Sequence, residues 1–192
     1  LKASNTGSGD RFGDSLALSG ETLVVGAPLE DSAARGINGF EADNKALSSG
    51  AAYVFSRDAI TGTWTQQAYL KGSNSETQDR FGRAVALHDN LLVIGALEDS
   101  SASGADGDQA DNSAPSAGAA YLFERDVAGG WSQIAYLKAS NTDAGDEFGS
   151  AIATDGKALV VGASLEDSMA TGVDGEQTDN TSTDSGAVYI FR

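Results

Sequence analysis

The chain has 192 residues, among them 24 Gly, 2 Pro, 1 His and no Cys, and its 12 basic and 28 acidic residues give a formal net charge of −16. The length suits one domain. Without Cys there is no disulfide framework and no thiolate metal site, the acidity argues against binding nucleic acid by neutralising phosphates, and no apolar run approaches the roughly 20 residues of a membrane-spanning helix. A hydrophobic content of 40 % is too high for a disordered acidic tail, so an acidic, glycine-rich folded domain is expected.

The first residues, Leu1-Lys2-Ala3-Ser4-Asn5, lack the charged-then-apolar pattern of a signal peptide. After them the chain reads as short strands. The first is Ser15–Ser19, where Leu16 and Leu18 alternate with small or polar neighbours. The second, Thr22–Ala27, is a continuous apolar run, and the third, residues 50–56, is apolar on both faces. The fourth, near residues 63–71, alternates Thr65 and Gln67 with Trp64, Gln66 and Ala68. Runs of this length bounded by Gly, Asp, Asn and Ser are strand signals. Continuous apolar runs imply strands covered on both faces, and mixed alternation a half-exposed strand. No segment has a sustained helical period.

The same elements then return. Phe12-Gly13 recurs as Phe81-Gly82 and Phe148-Gly149, at offsets of 69 and 67 residues. Leu23-Val24-Val25-Gly26-Ala27 recurs as Leu92-Val93-Ile94-Gly95-Ala96 and Leu159-Val160-Val161-Gly162-Ala163. Gly50-Ala51-Ala52-Tyr53-Val54-Phe55 recurs from Gly118 and from Gly186, and Trp64 with Ala68-Tyr69-Leu70-Lys71 recurs as Trp131 with Ala135-Tyr136-Leu137-Lys138. The chain is three copies of one unit, 1–69, 70–136 and 137–192, within a single domain. Leu1-Lys2-Ala3-Ser4 matches the tail of the Trp-containing segment, and the third copy has no such segment before Arg192. Either the units belong to a longer array or another chain completes them. Strands covered by neighbouring sheets, with an outer strand in water, are the gradient expected along a propeller blade.

The units resemble FG-GAP repeats, the blades of integrin-α-type β-propellers. The matching residues are Phe12-Gly13 with Gly26-Ala27-Pro28, Phe81-Gly82 with Gly95-Ala96, and Phe148-Gly149 with Gly162-Ala163, each followed by a Gly-x-x-Tyr-x-Phe strand. Leu97 and Ser164 stand where the first copy has its proline. The resemblance implies an all-β fold, a β-propeller built from three FG-GAP-like four-stranded blades, as an incomplete ring or one completed by another chain. Propellers have about 4–8 blades, so three should leave apolar sheet faces open and favour a homo-oligomer or neighbouring blades of a longer chain, a six- or seven-bladed ring. All aromatic residues except Phe40 fall at repeat positions, which assigns them to packing within and between blades. The Gly after each Phe is expected to supply a backbone conformation other residues avoid.

The charge sits between the second and third strands, in residues 30–49, 98–117 and 166–185. These loops hold fifteen of the 28 acidic residues and, of the basic ones, only Arg35 and Lys45. Each contains Glu-Asp-Ser, at Glu30-Asp31-Ser32, Glu98-Asp99-Ser100 and Glu166-Asp167-Ser168. Loops this long are uncommon without a function, and equivalent propeller loops emerge on one face, which should be strongly negative. Carboxylates and amide oxygens around a Gly suit a calcium ion with its six to eight oxygen ligands. The candidate ligands are Asp31, Asn38 and Asp43, then Asp99, Asp106, Asp108 and Asp111, then Asp167, Asp174, Glu176 and Asp179. The alternative is that these residues make Asx-turns and keep the face solvated. The integrin-type calcium turn between first and second strands is not transferable, because those turns here (Ser19-Gly20-Glu21, His88-Asp89-Asn90, Asp155-Gly156-Lys157) are too short. A second repeated acid, Asp10, Asp79 and Asp146, lies two residues before each Phe-Gly and is assigned to turn hydrogen bonding.

No catalytic set assembles. His88 has no counterpart in the other copies, and paired acids such as Glu30 and Asp31, which could serve glycoside hydrolysis, recur in every unit, whereas a catalytic site is normally unique. The expected function is a non-enzymatic extracellular or cell-surface adhesion module, calcium-binding through the acidic loops, with a protein or glycan ligand and no nucleic acid or membrane insertion. A structural subunit assembling into a larger ring or filament is the alternative, and a glycan-processing enzyme the third reading.

Overall fold

The computed structural model describes residues 1–101 and 107–192. Its first sheet is a four-stranded meander of β1 (Ser15–Ser19), β2 (Thr22–Ala27), β3 (Ala51–Arg57) and β4 (Trp64–Leu70). The second repeats it with β5 (Phe81–His88), β6 (Leu91–Ala96), β7 (Ala119–Arg125) and β8 (Trp131–Leu137). The third has three strands, β9 (Phe148–Thr154), β10 (Leu159–Ala163) and β11 (Ala187–Phe191), and among the described residues no strand pairs the outer edge of β11. All pairings within the sheets are antiparallel. These are three blades of an incomplete β-propeller, with sheets that do not close into a ring. In such a meander the long loops and the inter-blade linkers leave at one end of the sheets and the short turns at the other.

The blades are held face to face by apolar side chains of alternating direction. Val24, Ala52 and Val54 of the first blade meet Leu92 and Ile94 of the second in one buried cluster, with Val85 and Leu87 packed against it. Val93 and Ala120, with Leu122 beside them, meet Phe148, Leu159 and Val161 of the third, with Ile152 packed alongside. Within each blade the repeated Phe sits edge-on to the repeated Tyr. Phe12–Tyr53, Phe81–Tyr121 and Phe148–Tyr189 have centroids 5.4, 5.2 and 5.4 Å apart. Phe40 is 72 % exposed, as its place outside the repeat implies.

The Phe-Gly pair has a backbone role. Phe81 pairs with Ala96 and Ala84 with Gly95, so Gly82 and Arg83 bulge out of the inner strand. Gly82 takes φ 89° and Gly149 φ 94°, a region a side chain avoids. The bulge aims the Gly82 carbonyl at Gly26 of the preceding blade, where an added Cβ would lie 2.0 Å from that oxygen. Gly149 O lies 2.2 Å from the same position on Gly95. Gly162, with no fourth blade beside it, would meet nothing closer than 3.5 Å. The two glycine motifs of each unit are therefore two halves of one contact between consecutive blades.

Gly26→Ala and Gly95→Ala should each lower unfolding stability by about 1–3 kcal/mol or more, the usual cost of overpacking, while Gly162→Ala should be near neutral. Urea melts of the three variants check this; equal losses at all three positions would contradict the interlock.

Candidate functional site

Beneath the root of each long loop lies a buried polar cluster. In the first blade the ammonium of Lys71, one residue past the end of β4, donates to Glu30 Oε2 at 3.0 Å, to the Ser32 carbonyl at 2.7 Å and to Ser49 Oγ at 2.6 Å. Lys71 is 0 % and Glu30 1 % exposed. Three N–H donors thus find three acceptors, which an interior ammonium requires. Burial pushes the Lys71 pKa down, and the Glu30 carboxylate opposes that shift. The other Glu30 oxygen accepts Asn5 Nδ2 at 2.7 Å, and the Tyr53 hydroxyl donates to Asn5 Oδ1 at 2.6 Å.

The second blade repeats the cluster with a shorter acid. Asp99 accepts Asn74 Nδ2 at 2.8 Å and the hydroxyls of Tyr121 and Tyr136 at 3.0 and 2.7 Å. Lys138 lies 3.5 Å from Asp99 and donates to the Gly118 carbonyl at 2.5 Å. The register therefore corrects the sequence alignment of this loop. Asp99, three residues after Ala96, takes the place of Glu30, which is three after Ala27, and of Glu166, three after Ala163. Glu98 lies one residue earlier and pairs with Arg80 at 2.8 Å. In the third blade Glu166 accepts Asn141 Nδ2 at 2.7 Å, and Tyr189 donates to Asn141 Oδ1 at 2.5 Å.

Each asparagine comes from the linker that enters the blade, so the cluster ties consecutive blades together. Asn5, Asn74 and Asn141 also donate to the carbonyls of Glu41, Gln109 and Gln177. The serine before each bonds the side chain of the same loop residue, which pins the middle of the long loop to the linker.

Several of the predicted metal ligands are engaged by backbone N–H groups of the loops themselves. Asp31 Oδ1 accepts the Ser48 N–H and Asp167 Oδ1 the Asp184 N–H, each at 2.7 Å. Asp108, Asp111 and Asp179 each accept the N–H two residues on, at 3.0, 3.1 and 3.0 Å. Glu176 does the same to Thr178, and the Thr178 hydroxyl holds its pKa below the ordinary value. Asn38 has φ 53° and accepts the Tyr69 N–H through Oδ1, and Asp174 has φ 54°. Asp43 pairs with Lys45 at 3.1 Å, and its Oδ1 is buried with no hydrogen-bond partner among the described residues. Asp106 lies outside the described residues. Asp99 is interior. Among the described residues no three His, Asp or Glu side chains are grouped to hold a metal ion. A polar recess of about 450 Å³ opens on the third blade between Ser140, Asn141 and Asp143 of the linker and Gln177, Thr178 and Asn180 of the loop.

Not every acid of the long loops adds to the negative face. Glu30, Asp99 and Glu166 are buried, and lysines from the fourth strands reach the first two. Sequence reasoning placed Lys71 and Lys138 at strand ends and assigned them no site. Their recurrence beside a buried-strand pattern was the available signal, since lysine is almost never fully buried unless paired.

The other repeated acid closes a turn in each linker. Asp10 and Asp79 accept the N–H groups of Gly7 and Glu76, each at 2.6 Å, and Asp146 that of Asp143 at 3.0 Å. Burial raises the pKa of Asp79 to about 7 and of Asp146 to about 6, against the lowering effect of those N–H bonds.

The chain matches the FG-GAP repeat over residues 1–55, 64–123 and 131–191. No curated protein shows a significant match to it.

A carboxyl whose folded pKa is raised binds its proton more tightly in the folded state. The associated stability is complete below the unfolded value of 3.8 and is lost as pH rises through about 7 for Asp79. From pH 5 to pH 8 the loss should be on the order of 2–3 kcal/mol, and Asp79→Asn should remove that part of the slope. Denaturant melts across this range test it; parallel profiles for the two proteins would contradict it.

Proposed function

The chain belongs to the FG-GAP repeat family, and we propose that it is a non-enzymatic, extracellular recognition module whose end blades build it into a larger propeller assembly. The carrying observation is the contrast between inner and outer sheet faces. Leu16 and Leu18 are 63 % and 64 % exposed on the outer face of the first blade, while their counterparts Val85 and Leu87 are packed against its inner face. Val188 and Ile190 are 66 % and 61 % exposed on the outer face of the third blade, while their counterparts in the first blade, Ala52 and Val54, are 0 % and 1 % exposed against the second. The two outer faces carry the same kinds of residue that mate between blades, and contiguous apolar surface of this sort marks an association site. They differ from each other, so the contact is head-to-tail.

Assembly leaves the loop end of the blades in solvent as the surface that meets a ligand. Its carboxylates, amides and hydroxyls, with the recess beside Asn141 and Gln177, suit a polar partner such as a glycan or a protein surface. Catalysis by the paired acids is disfavoured because Glu30 is buried and both its oxygens are taken by Lys71 and Asn5. FG-GAP repeats are typical of surface proteins, which supports the extracellular reading. Calcium binding in the loops is a second reading, favoured by the unsatisfied, buried Oδ1 of Asp43.

Light scattering should give a mass above the monomer for the native chain and a monomer for a variant carrying Leu16→Glu and Ile190→Glu. A native monomer would overturn the assembly reading. Thermal melts of the same samples in calcium and in EDTA decide the second reading, which requires a higher melting temperature in calcium.

A further inference from the structure

A recess of about 390 Å³ lies between the first two blades, at the end of the sheets where the long loops begin. Its walls are Arg11, Asp14, Pro28 and Leu29 of the first blade and Arg80 and Arg83 of the second. Three of the seven arginines therefore converge on one cavity of a chain with net charge −16. Arg35, Arg57 and Arg125 are instead bonded to Glu76, Glu21 and Asn90.

The fold does not ask for arginine at these places. Arg11, Arg80 and Glu147 each precede the Phe-Gly pair, with φ 56°, 55° and 56°. Asp14, Arg83 and Ser150 each follow it. The backbone is thus the same in the three units while the side chain changes from cation to anion or hydroxyl. Glu147 accepts the Ser164 hydroxyl at 3.2 Å. Residues that serve the unit recur in it, as the Phe, Tyr and Gly do, and these arginines do not. The interface of the second and third blades has Glu147 and Ser150 where this one has Arg80 and Arg83.

The protein does not use up these guanidinium groups. Arg80 Nη1 lies 2.8 Å from Glu98 Oε1, but its Nε is buried and has no hydrogen-bond partner among the described residues. Arg83 Nη1 is 3.8 Å from Asp14 Oδ2, too far for a hydrogen bond. Three cations against the two carboxylates of Asp14 and Glu98 (3 − 2) leave the recess one positive charge. A guanidinium presents a planar fork of donors that matches a carboxylate. Pro28 and Leu29 add an apolar wall for a carbon skeleton, and Asp14 an acceptor for hydroxyl groups. The acidic loops of the same end repel an extended polyanion, and a singly charged sugar far less.

We infer that this recess binds a uronic-acid sugar, its carboxylate held by Arg11, Arg80 and Arg83 and its hydroxyls facing Asp14. The inference rests on the recognition reading above and gives the loop-end surface a ligand chemistry. It is independent of assembly, because both walls belong to one chain and to blades that each have all four strands.

The test is a calorimetric titration of the whole chain with glucuronate, glucose and sulfate. Glucuronate should bind one to one, and glucose roughly tenfold more weakly or worse, the scale of one charged hydrogen bond. Arg11→Glu and Arg83→Ser, which install the residues of the third unit, should each weaken glucuronate by roughly tenfold at an unchanged melting temperature. Arg57→Gln, which loses the ion pair with Glu21 at the opposite end of the blade, should leave binding as it was. Glucuronate binding that neither recess substitution alters would overturn the site. Sulfate binding as tightly as glucuronate would overturn the sugar-acid assignment in favour of a general anion site. Glucose binding as tightly as glucuronate would overturn the role of the arginines while leaving glycan recognition standing. No heat with any of the three would overturn the recess as a site and leave recognition to the rest of the loop face.

Discussion

An ammonium ion buried at the end of a β-strand has to be matched by fixed oxygens, and this requirement organises each complete blade. Lys71 leaves the fourth strand and meets Glu30, a carbonyl and a hydroxyl at the base of the long loop. Glu30 in turn faces Asn5, which arrives from the linker and receives the Tyr53 hydroxyl. Outer strand, loop root, linker and core tyrosine thus meet at one charged pair. Removing one partner of a buried pair strands the other, at a cost of about 3–5 kcal/mol, although the intact pair adds far less than its Coulomb energy suggests. The pair is therefore better understood as a register device than as a source of net stability: the blade closes in the alignment that brings Lys71 to Glu30.

The same chemistry links one blade to the next. Each asparagine belongs to one linker and binds the carboxylate of the following blade, while the Phe-Gly bulge of that blade sets its carbonyl on the Gly-Ala strand of the one before. Polar contacts fix the loop end and glycine contacts the inner strands, with aliphatic side chains filling the space between. A unit joined in this way buries its faces only against neighbours. The outer faces of the first and third blades consequently expose aliphatic residues such as Leu16, Leu18, Val188 and Ile190.

Much of this was legible in the sequence. The three-fold recurrence of Phe-Gly, Gly-Ala and Gly-x-x-Tyr-x-Phe gave the sheets, their order and the incomplete third blade, because strand periodicity and spacing are local properties. The positive φ of Gly82 and Gly149 followed from the same pattern. The cluster was less accessible. Aligning on Glu-Asp-Ser placed Glu98 opposite Glu30, whereas spacing from the strand puts Asp99 there. In this loop the strand end, with its fixed hydrogen bonds, is the better guide to position. Lys71 and Lys138 read only as repeated strand ends, because nothing in a linear sequence shows that a carboxylate some forty residues earlier lies beside them. The acid-rich loops suggested a metal through composition, but carboxylates such as Asp108, Asp111 and Asp179 accept N–H groups of their own turns, a use of Asp that leaves the same trace in sequence.

The measurement that bears most directly on the central role of the buried pair is a double-mutant cycle at Lys71 and Glu30, followed by urea unfolding. Lys71→Met alone should cost about 3–5 kcal/mol by leaving Glu30 buried without its counter-charge. Combining it with Glu30→Gln should recover much of that loss, with a coupling energy of roughly 2 kcal/mol or more. Losses that add to within about 0.5 kcal/mol, with Lys71→Met itself costing less than about 1 kcal/mol, would mean that the pair behaves as a surface contact and does not organise the blade.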